Sequence, residues 1–304
     1  MKYAVVTGAT SFIGVHLVNE LLEKKYYVYA IVRPNSNNMS RLPSNSNLEI
    51  VSLDLSEIAL LANYIPAPVD TFFHLAWEGA RAPQRDDFAL QQTNYMYAIK
   101  AMKAAKQLEC KTFVGAGSQA EYGIVDEIIT EECEENPTTM YGKSKLQTFR
   151  EGLVFSEKVG MRFVWPRIFS VYGPNDFAGT LIMSCIDKMQ KNQSIDLTPC
   201  SQLWDFLYVG DAAMALVKLG EAENARGIYN IASGKALPLR EFVLEMKNIL
   251  HSNSILNFGA IAVEPKKIVG FAPSIDKLST AISWCPKISF ADGIEKIIKA
   301  MVIT

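Results

Sequence analysis

The first 32 residues carry the pattern that most constrains the fold of this chain. A short apolar run at residues 3–7 leads into a turn between Gly8 and Gly14, and a helical apolar pattern follows the turn. A second apolar run spans Tyr27 to Val32. Two strands joined through a helix pair in parallel, because a parallel connection needs a crossover of a dozen or more residues. The segment therefore predicts a βαβ unit within a parallel sheet.

The alternation of strand and helix continues to about residue 170. The further elements that it predicts are strands at 48–53, 71–75, 111–115 and 161–168, and helices at about 87–107 and 139–158. Such alternation is typical of a doubly wound α/β domain of the Rossmann type, with a parallel sheet between two layers of helices.

The pattern changes after Gly173, where helical stretches near 180–191, 211–220 and 238–251 alternate with short apolar runs and turns. We expect a smaller, mixed C-terminal lobe built from discontinuous pieces. The predicted division places residues 1–170 and about 203–228 in the first domain, and residues 171–202 and 229–304 in the lobe.

Composition and charge exclude several classes of protein. The 304 residues carry a net charge of -2, which gives no electrostatic basis for binding nucleic acid or an anionic membrane surface. No apolar run approaches the roughly 18 residues of a transmembrane helix. The five cysteines and three histidines are scattered and form no metal-ligand motif. We therefore expect a reduced, cytoplasmic, soluble protein that has no metal site, no nucleic-acid partner and no membrane partner.

The turn between Gly8 and Gly14 has the features of a phosphate-binding loop. Small residues between a strand and a helix allow a dinucleotide pyrophosphate to approach the helix N-terminus. Here Ser11 stands at the usual middle glycine position, so the motif is incomplete and a plain tight turn is the alternative. Its position directly after the first strand favours a dinucleotide site.

The residue that follows the second strand indicates which dinucleotide is bound. A carboxylate there would accept from a ribose 2′-hydroxyl, whereas an arginine accommodates a 2′-phosphate. The chain has Arg33, with Arg41 close behind and no carboxylate before Glu49. This arrangement favours NADP (as NADPH) over NAD, and a basic surface loop is the alternative. Asp54-Leu55 after the third strand is a candidate adenine contact or, equally, a helix cap.

Tyr141 and Lys145 lie four residues apart on the helix predicted at 139–158, about one turn from each other on one face. A neighbouring ammonium lowers the pKa of a tyrosine, which is near 10 when free. Reaching a pKa near 7 takes about 4 kcal/mol, at about 1.36 kcal/mol per unit. Such a tyrosine can exchange a proton with a carbonyl or an alcohol. The alternative is an ordinary amphipathic helix with a solvated lysine.

Eight short motifs stand in a characteristic order along the chain. They are Thr7–Gly14, Asp54-Leu55, His74-Leu75-Ala76, Asn94, Ser118, Tyr141-x-x-x-Lys145, Pro166–Pro174 and Asp205–Asp211, followed by Trp284-Cys285-Pro286. In this order and spacing the chain resembles the extended short-chain dehydrogenase/reductases, the NAD-dependent epimerase/dehydratase group. The resemblance covers essentially the whole chain.

The resemblance implies a nucleotide-sugar substrate, bound by the lobe, and a catalytic triad of Ser118, Tyr141 and Lys145. Tyr141 would exchange a proton with the sugar oxygen, Ser118 would hydrogen-bond that oxygen, and Lys145 would hold the nicotinamide ribose. The cofactor contacts that it implies are Gly8, Ser11, Phe12, Ile13, Gly14, Arg33, Asp54, Leu55, Leu75, Ala76, Asn94, Tyr141, Lys145 and the backbone that follows Pro166.

Six further residues are candidates for the sugar pocket beside Ser118. Trp77, with Glu78 and Arg81, follows the fourth strand and would line this pocket. Glu121 would accept from sugar hydroxyls or would lie at the surface beside a turn. Gln202 and Trp204 belong to a stretch in which many members of the family have an arginine at the position of Trp204. Trp204 would instead stack on a base or sugar, or belong to the core.

The residues after Ser118 narrow the reaction. The family's 4,6-dehydratases resemble this chain but place an Asp-Glu pair where it has Gln119 and Ala120, and neither of these can do acid–base work. An NADPH-dependent 4-ketoreductase, of the kind that finishes deoxysugars for surface polysaccharides, agrees with Arg33. The alternatives are a 4-epimerase with tightly bound NAD and a non-catalytic NADP-binding sensor on the same fold.

The resemblance also implies a homodimer. In this family the helices that correspond to 87–107 and 139–158 often pair across a two-fold axis. The apolar residues that would take part, or would instead be core, are Met96, Met102, Leu108, Phe149, Leu153 and Val154.

Overall fold

A computed structural model describes residues 1–262 and 272–303 of the chain. The strands of this part are β1 (Tyr3–Thr7), β2 (Tyr27–Val32), β3 (Leu48–Ser52), β4 (Thr71–His74), β5 (Thr112–Gly115), β6 (Gly117–Ser118), β7 (Arg162–Ile168), β8 (Ser170–Tyr172), β9 (Ile195–Leu197), β10 (Leu203–Trp204), β11 (Phe206–Tyr208), β12 (Gly227–Ile231), β13 (Leu237–Pro238) and β14 (Leu256–Phe258).

Eight α-helices occur in the same described part. They are α1 (Phe12–Glu23), α2 (Phe88–Gln107), α3 (Met140–Val159), α4 (Leu181–Gln190), α5 (Val209–Glu221), α6 (Leu239–Ile249), α7 (Asp276–Ile282) and α8 (Phe290–Ile303). Most of the predicted helices and strands begin and end within one residue of these bounds. A 3-10 helix at Leu55–Asn63 and a short one at Gln119–Glu121 were not predicted.

The central sheet is parallel throughout and confirms the predicted fold class. Its strand order is β12-β7-β5-β4-β1-β2-β3, and β6 pairs with the end of β7. The order reverses between β1 and β4, where successive strands go to opposite sides. In open sheets of this kind, ligands bind outside the carboxyl ends of the strands at the reversal point.

Helices cover both faces of the sheet, which explains why its strands are nearly continuous apolar runs. One core packs α1 and α5 against the sheet, and Leu17, Leu216 and Leu278 are fully buried in it. The other packs α2 and α3 against the opposite face, around Met102 and Phe113. The prediction that α2 and α3 carry core residues is confirmed at Met102, Leu108 and Phe149, which are at most 8% exposed.

A third core belongs to the C-terminal lobe and joins α4, α6 and α8. The lobe is tied to the first domain by β8, which pairs in parallel with β11. Asp205, directly before β11, accepts hydrogen bonds from Ser233 N, Ser233 Oγ and Lys235 N at 2.7 to 3.0 Å.

The predicted boundary at residue 229 is wrong. It falls inside β12, which pairs with β7 from Gly227 to Ile231 as the last strand of the central sheet. Helix α7 and Trp284 also pack on the core of α1 and α5 and not on that of the lobe. Residues 263–271 and 304, which the prediction placed in the lobe, lie outside the described residues.

Among the described residues, no helix combines the length and the apolar content that crossing a bilayer requires. The same part of the chain also holds no group of three His, Cys, Asp or Glu side chains that could ligate a metal ion.

The core on the α2 side generates a stability prediction. Met102 is fully buried, so Met102→Ala removes apolar contacts and leaves a cavity, which should lower the free energy of unfolding by about 2 to 5 kcal/mol. Lys103→Ala, at the next, exposed position of the same helix, should change it by less than about 0.5 kcal/mol. Urea unfolding of both variants measures the difference. Equal effects would contradict the assignment of Met102 to the core.

Candidate functional site

A cleft with a volume of about 710 Å³ opens at the carboxyl ends of the central strands. Residues from the first domain and from the lobe line it. From the first half of the chain they include Ser11, Phe12, Ile13, Leu75, Trp77, Arg81, Arg85, Ser118, Gln119, Tyr141 and Lys145, and from the second half Ile168, Phe169, Asp176, Gln202, Trp204 and Leu239. The cleft therefore lies where the strand order reverses and where the lobe meets the sheet.

The turn before α1 has no room for side chains at its two glycines. Gly8 has a φ of +70°, and a Cβ there would lie 2.8 Å from the backbone nitrogen of Ala76. A Cβ at Gly14 would lie 2.0 Å from the carbonyl oxygen of Gly8. Only glycine fits both positions, because the turn packs directly against its own helix and against the loop after β4.

Ser11 completes this turn as the N-cap of α1, since its side chain accepts a hydrogen bond from Gly14 N at 3.2 Å. Ser11, Phe12 and Ile13 line the cleft, so the first turn of the helix faces it. The first amides of a helix have no acceptor within it, and they favour a phosphate. The turn therefore fits a dinucleotide pyrophosphate. Ser11, which replaces the middle glycine of the usual dinucleotide-binding motif, caps the helix.

Ser118, Tyr141 and Lys145 converge on the same cleft. A hydrogen bond joins the side chains of Tyr141 and Ser118, and the Lys145 ammonium lies 5.8 Å from the centre of the Tyr141 ring. Lys145 Nζ donates to the carbonyl oxygen of Ala116 at 2.6 Å. Ser118 and Lys145 are 27 positions apart in the sequence. They come together because α3 lies along the end of β6.

The electrostatics of this group differ from the prediction. Burial raises the pKa of Tyr141, and the nearby Glu121 carboxylate raises it further, while Ser118 and Arg85 oppose the rise. Burial also lowers the pKa of Lys145. The net shift of the Tyr141 pKa is therefore opposite to the predicted one in the protein by itself, because removal from water disfavours the charged form of the tyrosine, as it does that of the lysine.

The sequence as a whole decides the family. Residues 4–232 match the NAD dependent epimerase/dehydratase family. The chain belongs to this family. It is accordingly an NAD(P)-dependent enzyme of the short-chain dehydrogenase/reductase type, as predicted, and the glycine turn and the Ser118, Tyr141 and Lys145 group are the parts of the fold that agree with it.

The names of similar proteins describe enzymes that act on nucleotide-linked sugars. The chain is 27% identical to a CDP-abequose synthase of Salmonella muenchen, over 98% of this chain and 97% of the relative. It is 25% identical to a UDP-N-acetylglucosamine 4-epimerase from Methanobrevibacter ruminantium M1, solved with UDP-N-acetylmuramic acid, with a TM-score of 0.89 over 99% and 98% of the two chains. A UDP-glucuronic acid 4-epimerase from Bacillus cereus, solved with NAD, shares the fold at 23% identity and a TM-score of 0.84 over 98% and 96%.

The residues predicted to hold the far end of the cofactor follow β2 and β3 and are not among those that line the cleft. Arg33 is exposed directly after β2, and its charge contributes to lowering the pKa of Asp54. Asp54 caps the 3-10 helix at 55–63, as its side chain accepts from Ser56 N. Leu55 packs on the α2-side core, and Arg41 is half-buried in the loop between β2 and β3.

Two residues of the cofactor prediction have other contacts. Asn94 binds the loop after β4 through both ends of its amide, donating to Glu78 O at 2.8 Å and accepting from Glu78 N at 3.0 Å. Pro166 is buried in the middle of β7, where it pairs with β12. Pro166 itself does not line the cleft, whereas the backbone after it, at Ile168, does, which agrees with the predicted location of this contact.

Of the six predicted sugar-pocket residues, Trp77, Arg81, Gln202 and Trp204 line the cleft, and Glu78 is not among its lining residues. Glu121 does not line it either. Its carboxylate is fully buried, accepts from Ser118 N at 2.7 Å and from Trp165 Nε1 at 3.0 Å, and pairs with Arg167 Nε at 2.8 Å. Both readings of Glu121, as a sugar ligand and as a surface residue, are wrong, because a buried guanidinium provides the partner that lets the charge leave water.

The ion pair has consequences for the position of Ser118. Glu121 and Ser118 form a reciprocal cap, in which the serine side chain accepts from Ala120 N while the carboxylate accepts from the serine amide. Arg167 also pairs with Glu135. Burial raises the pKa of Glu121, and the guanidinium opposes this rise. The pair thereby fixes the backbone that presents Ser118 to the cleft.

Sequence reasoning missed three residues of the site: Arg85, Gln91 and Arg167. Gln91 is fully buried, and it continues the stripe of Asn94, Ala98 and Ala101 at helical spacing, which is a signal that the sequence contains. Arg85 lines the cleft with its guanidinium 5.4 Å from the Tyr141 ring. No local pattern distinguishes Arg85 from a loop arginine.

The buried pair generates a second prediction. Glu121→Ala leaves the Arg167 charge buried beside an empty space, so the free energy of unfolding should fall by about 3 to 5 kcal/mol. Glu127→Ala, which removes an exposed carboxylate nearby, is the matched control and should have almost no effect. Urea unfolding at neutral pH measures both. A Glu121→Ala variant as stable as the control would show that the pair does not support the fold.

Proposed function

We propose that the protein reduces the 4-keto group of a nucleotide-linked sugar or deoxysugar with NADPH, in the cytoplasm, for surface polysaccharide or deoxysugar biosynthesis. The observation that carries the choice of reduction is Arg33 at the end of β2. The loop that follows β2 begins Arg-Pro-Asn-Ser and has no carboxylate to accept from a ribose 2′-hydroxyl. An enzyme that consumes a reduced cofactor in every turnover is suited to NADPH.

The residues around Arg33 support a 2′-phosphate site. Ser36 in the same loop lies 3.3 Å from Thr10 through their hydroxyl oxygens, so the loop is held against the glycine turn. An arginine and a serine hydroxyl near the start of α1 form a donor set for an anion. The pyrophosphate would approach Ser11, Phe12 and Ile13.

The triad supplies the proton of the reaction. When bound, NADPH supplies a hydride to the C4 carbon. Tyr141 gives its hydroxyl proton to the carbonyl oxygen, which becomes the new hydroxyl, and Ser118 donates a hydrogen bond to the same oxygen. Lys145 holds the nicotinamide ribose, and its positive charge stabilises the phenolate that remains. The raised pKa of Tyr141 suits this direction, because a protonated phenol is what a ketone reduction requires.

The positions after Ser118 argue against dehydration. Gln119 lines the cleft and accepts from Ser118 Oγ at 2.9 Å, while Ala120 is buried. Neither side chain can protonate a leaving hydroxyl or abstract a carbon-bound proton. The acid–base pair that the family's 4,6-dehydratases place after the serine is therefore missing at these two positions.

A 4-epimerase that retains NAD is the second candidate function. The solved 4-epimerases that share this fold favour it, above all the Methanobrevibacter ruminantium enzyme at 25% identity. The similarity to a CDP-abequose synthase favours the reductase. A non-catalytic NADP sensor is less well supported, because the chain keeps all three residues of the triad within one cleft.

We further propose a homodimer through α2 and α3, which pack side by side. Met96 and Val154 are 49% and 66% exposed on these helices. Because Met102, Leu108 and Phe149 are core residues, only the outer apolar residues of the predicted set are available for such an interface.

The proton-donor role of Tyr141 has a direct test. With NADPH and a panel of nucleotide-linked 4-ketosugars, the wild-type protein should consume NADPH, as followed by its absorbance. Tyr141→Phe should lower kcat by about 10²- to 10⁴-fold, because the acid is lost while the ring remains. Tyr64→Phe, at an exposed tyrosine, is the control. Tight NADPH binding without turnover of any ketosugar would favour the sensor.

The cofactor preference is tested at Arg33. Arg33→Asp should weaken NADPH binding by about 10- to 150-fold, because one charge-assisted contact to the 2′-phosphate is replaced by repulsion. Binding of NADH should change much less. Arg226→Asp, at an exposed arginine directly before β12, serves as the control for net charge. An unchanged ratio of NADPH to NADH affinity would remove the basis of the cofactor assignment.

A further inference from the structure

The Lys145 ammonium lies over an aromatic face. Its Nζ atom is 3.8 Å from the centre of the Trp77 ring and 5.9 Å from that of Trp165. Lysine ammonium groups within about 6 Å of a tryptophan ring are attracted by the negative potential of the ring face. Lys145 is only 4% exposed, so little water competes with this attraction.

The Trp77 ring is fixed from behind by Gln91. The indole Nε1 donates to Gln91 Oε1 at 2.8 Å. The amide nitrogen of Gln91 donates to Gly79 O at 2.9 Å and to Gln84 O at 3.0 Å. Gln91 is fully buried on α2 and cannot easily reorient. Three hydrogen bonds therefore hold one glutamine, and that glutamine holds the plane of the indole against the lysine.

No carboxylate is within salt-bridge distance of Lys145 among the ion pairs of the described residues. The titratable groups that face it from the surrounding elements are His74 at the end of β4, Tyr141 on its own helix, and Glu121 after β6, which is paired with Arg167. Burial lowers the pKa of His74 to about 3, so this ring is neutral. Arg85 lies farther out, over the Tyr141 ring.

Burial works against the charge that the site needs. Removal from water lowers the pKa of Lys145, and the charge of Glu121 only partly offsets this. A ring face in contact with the ammonium favours the charged form without adding a negative charge that would compete for the proton of Tyr141. Trp77 also meets the Tyr141 ring edge to face, with ring centres 6.1 Å apart.

We infer that Trp77, locked by Gln91, is a positioning residue that holds the Lys145 ammonium over its indole face and keeps it protonated in a dry site. The inference rests on the proposed role of Lys145 in the reaction. It assigns to Trp77 a task besides lining the sugar pocket. Substrate and cofactor would then meet a lysine whose direction is set before they arrive.

The test follows the Lys145 side chain by NMR in the protein labelled with ¹³C at lysine Cε. Lys145→Met identifies the signal. In the wild type, the Cε protons should be shifted upfield by the ring current of Trp77. In Trp77→Leu this shift should disappear, and the pKa from the pH titration of the signal should fall by about 0.4 to 1.5. Trp77→Phe, which keeps an aromatic face, should retain most of both effects.

Gln91→Leu provides a second, independent variant. It keeps Trp77 but removes the hydrogen bond that orients the indole, so the ring-current shift and the pKa should both decrease part of the way. Trp284→Phe, a buried tryptophan in the core on the other side of the sheet, should leave the Lys145 signal unchanged. A pKa that is the same in wild type, Trp77→Leu and Gln91→Leu would overturn the inference.

The pH dependence of turnover gives a readout that a merely structural role would not change. Cation–π contact raises the pKa of the lysine, so its loss should move the alkaline limb of kcat/KM to lower pH in Trp77→Leu, by the same amount as in the NMR titration. A uniform loss of activity at every pH, with the limb unmoved, would contradict the inference. Because the NMR measurement needs neither substrate nor cofactor, it decides about Trp77 even where the proposed reduction fails.

Discussion

The burial of a lysine and a tyrosine at the carboxyl ends of a parallel sheet is the constraint on which the whole site depends. Lys145 is 4% exposed and reaches the carbonyl oxygen of Ala116 between β5 and β6. Removal from water raises the pKa of Tyr141 and lowers that of Lys145. The aromatic face of Trp77 and the more distant carboxylate of Glu121 both favour the charged form of Lys145. The ammonium therefore has favourable electrostatic contacts without a direct ion pair.

This arrangement links the reaction to the architecture of the fold. Helix α3 carries Tyr141 and Lys145, while the pair of Glu121 and Arg167 fixes the backbone of Ser118 from the opposite side. Gln202 and Leu239 of the lobe line the other side of the cleft. Under the proposed function, the first domain would supply the proton donor, and differences in sugar recognition would arise from residues of the lobe.

The sequence predicted the sheet well because buried parallel strands are apolar on both faces and are separated by clear turn signals. The role of Gly8 and Gly14 in the turn before α1 could also be predicted, because the pattern that indicates it lies in the neighbouring residues of the sequence. Glu121 could not, since a carboxylate next to a turn resembles a surface residue and its partner Arg167 lies 46 positions away. The same holds for the pKa of Tyr141, which depends on how much water the folded cleft excludes and not on the spacing of two residues.

The most direct test of the account is the fate of the hydride. The protein would be incubated with NADPH deuterated at the transferring position of the nicotinamide and with a nucleotide-linked 4-ketosugar that it consumes. The account predicts one deuterium at C4 of the product for each NADPH oxidised. Interconversion of fully hydroxylated nucleotide sugars, with no deuterium incorporated and no net oxidation of NADPH, would contradict the reduction and would establish the epimerase.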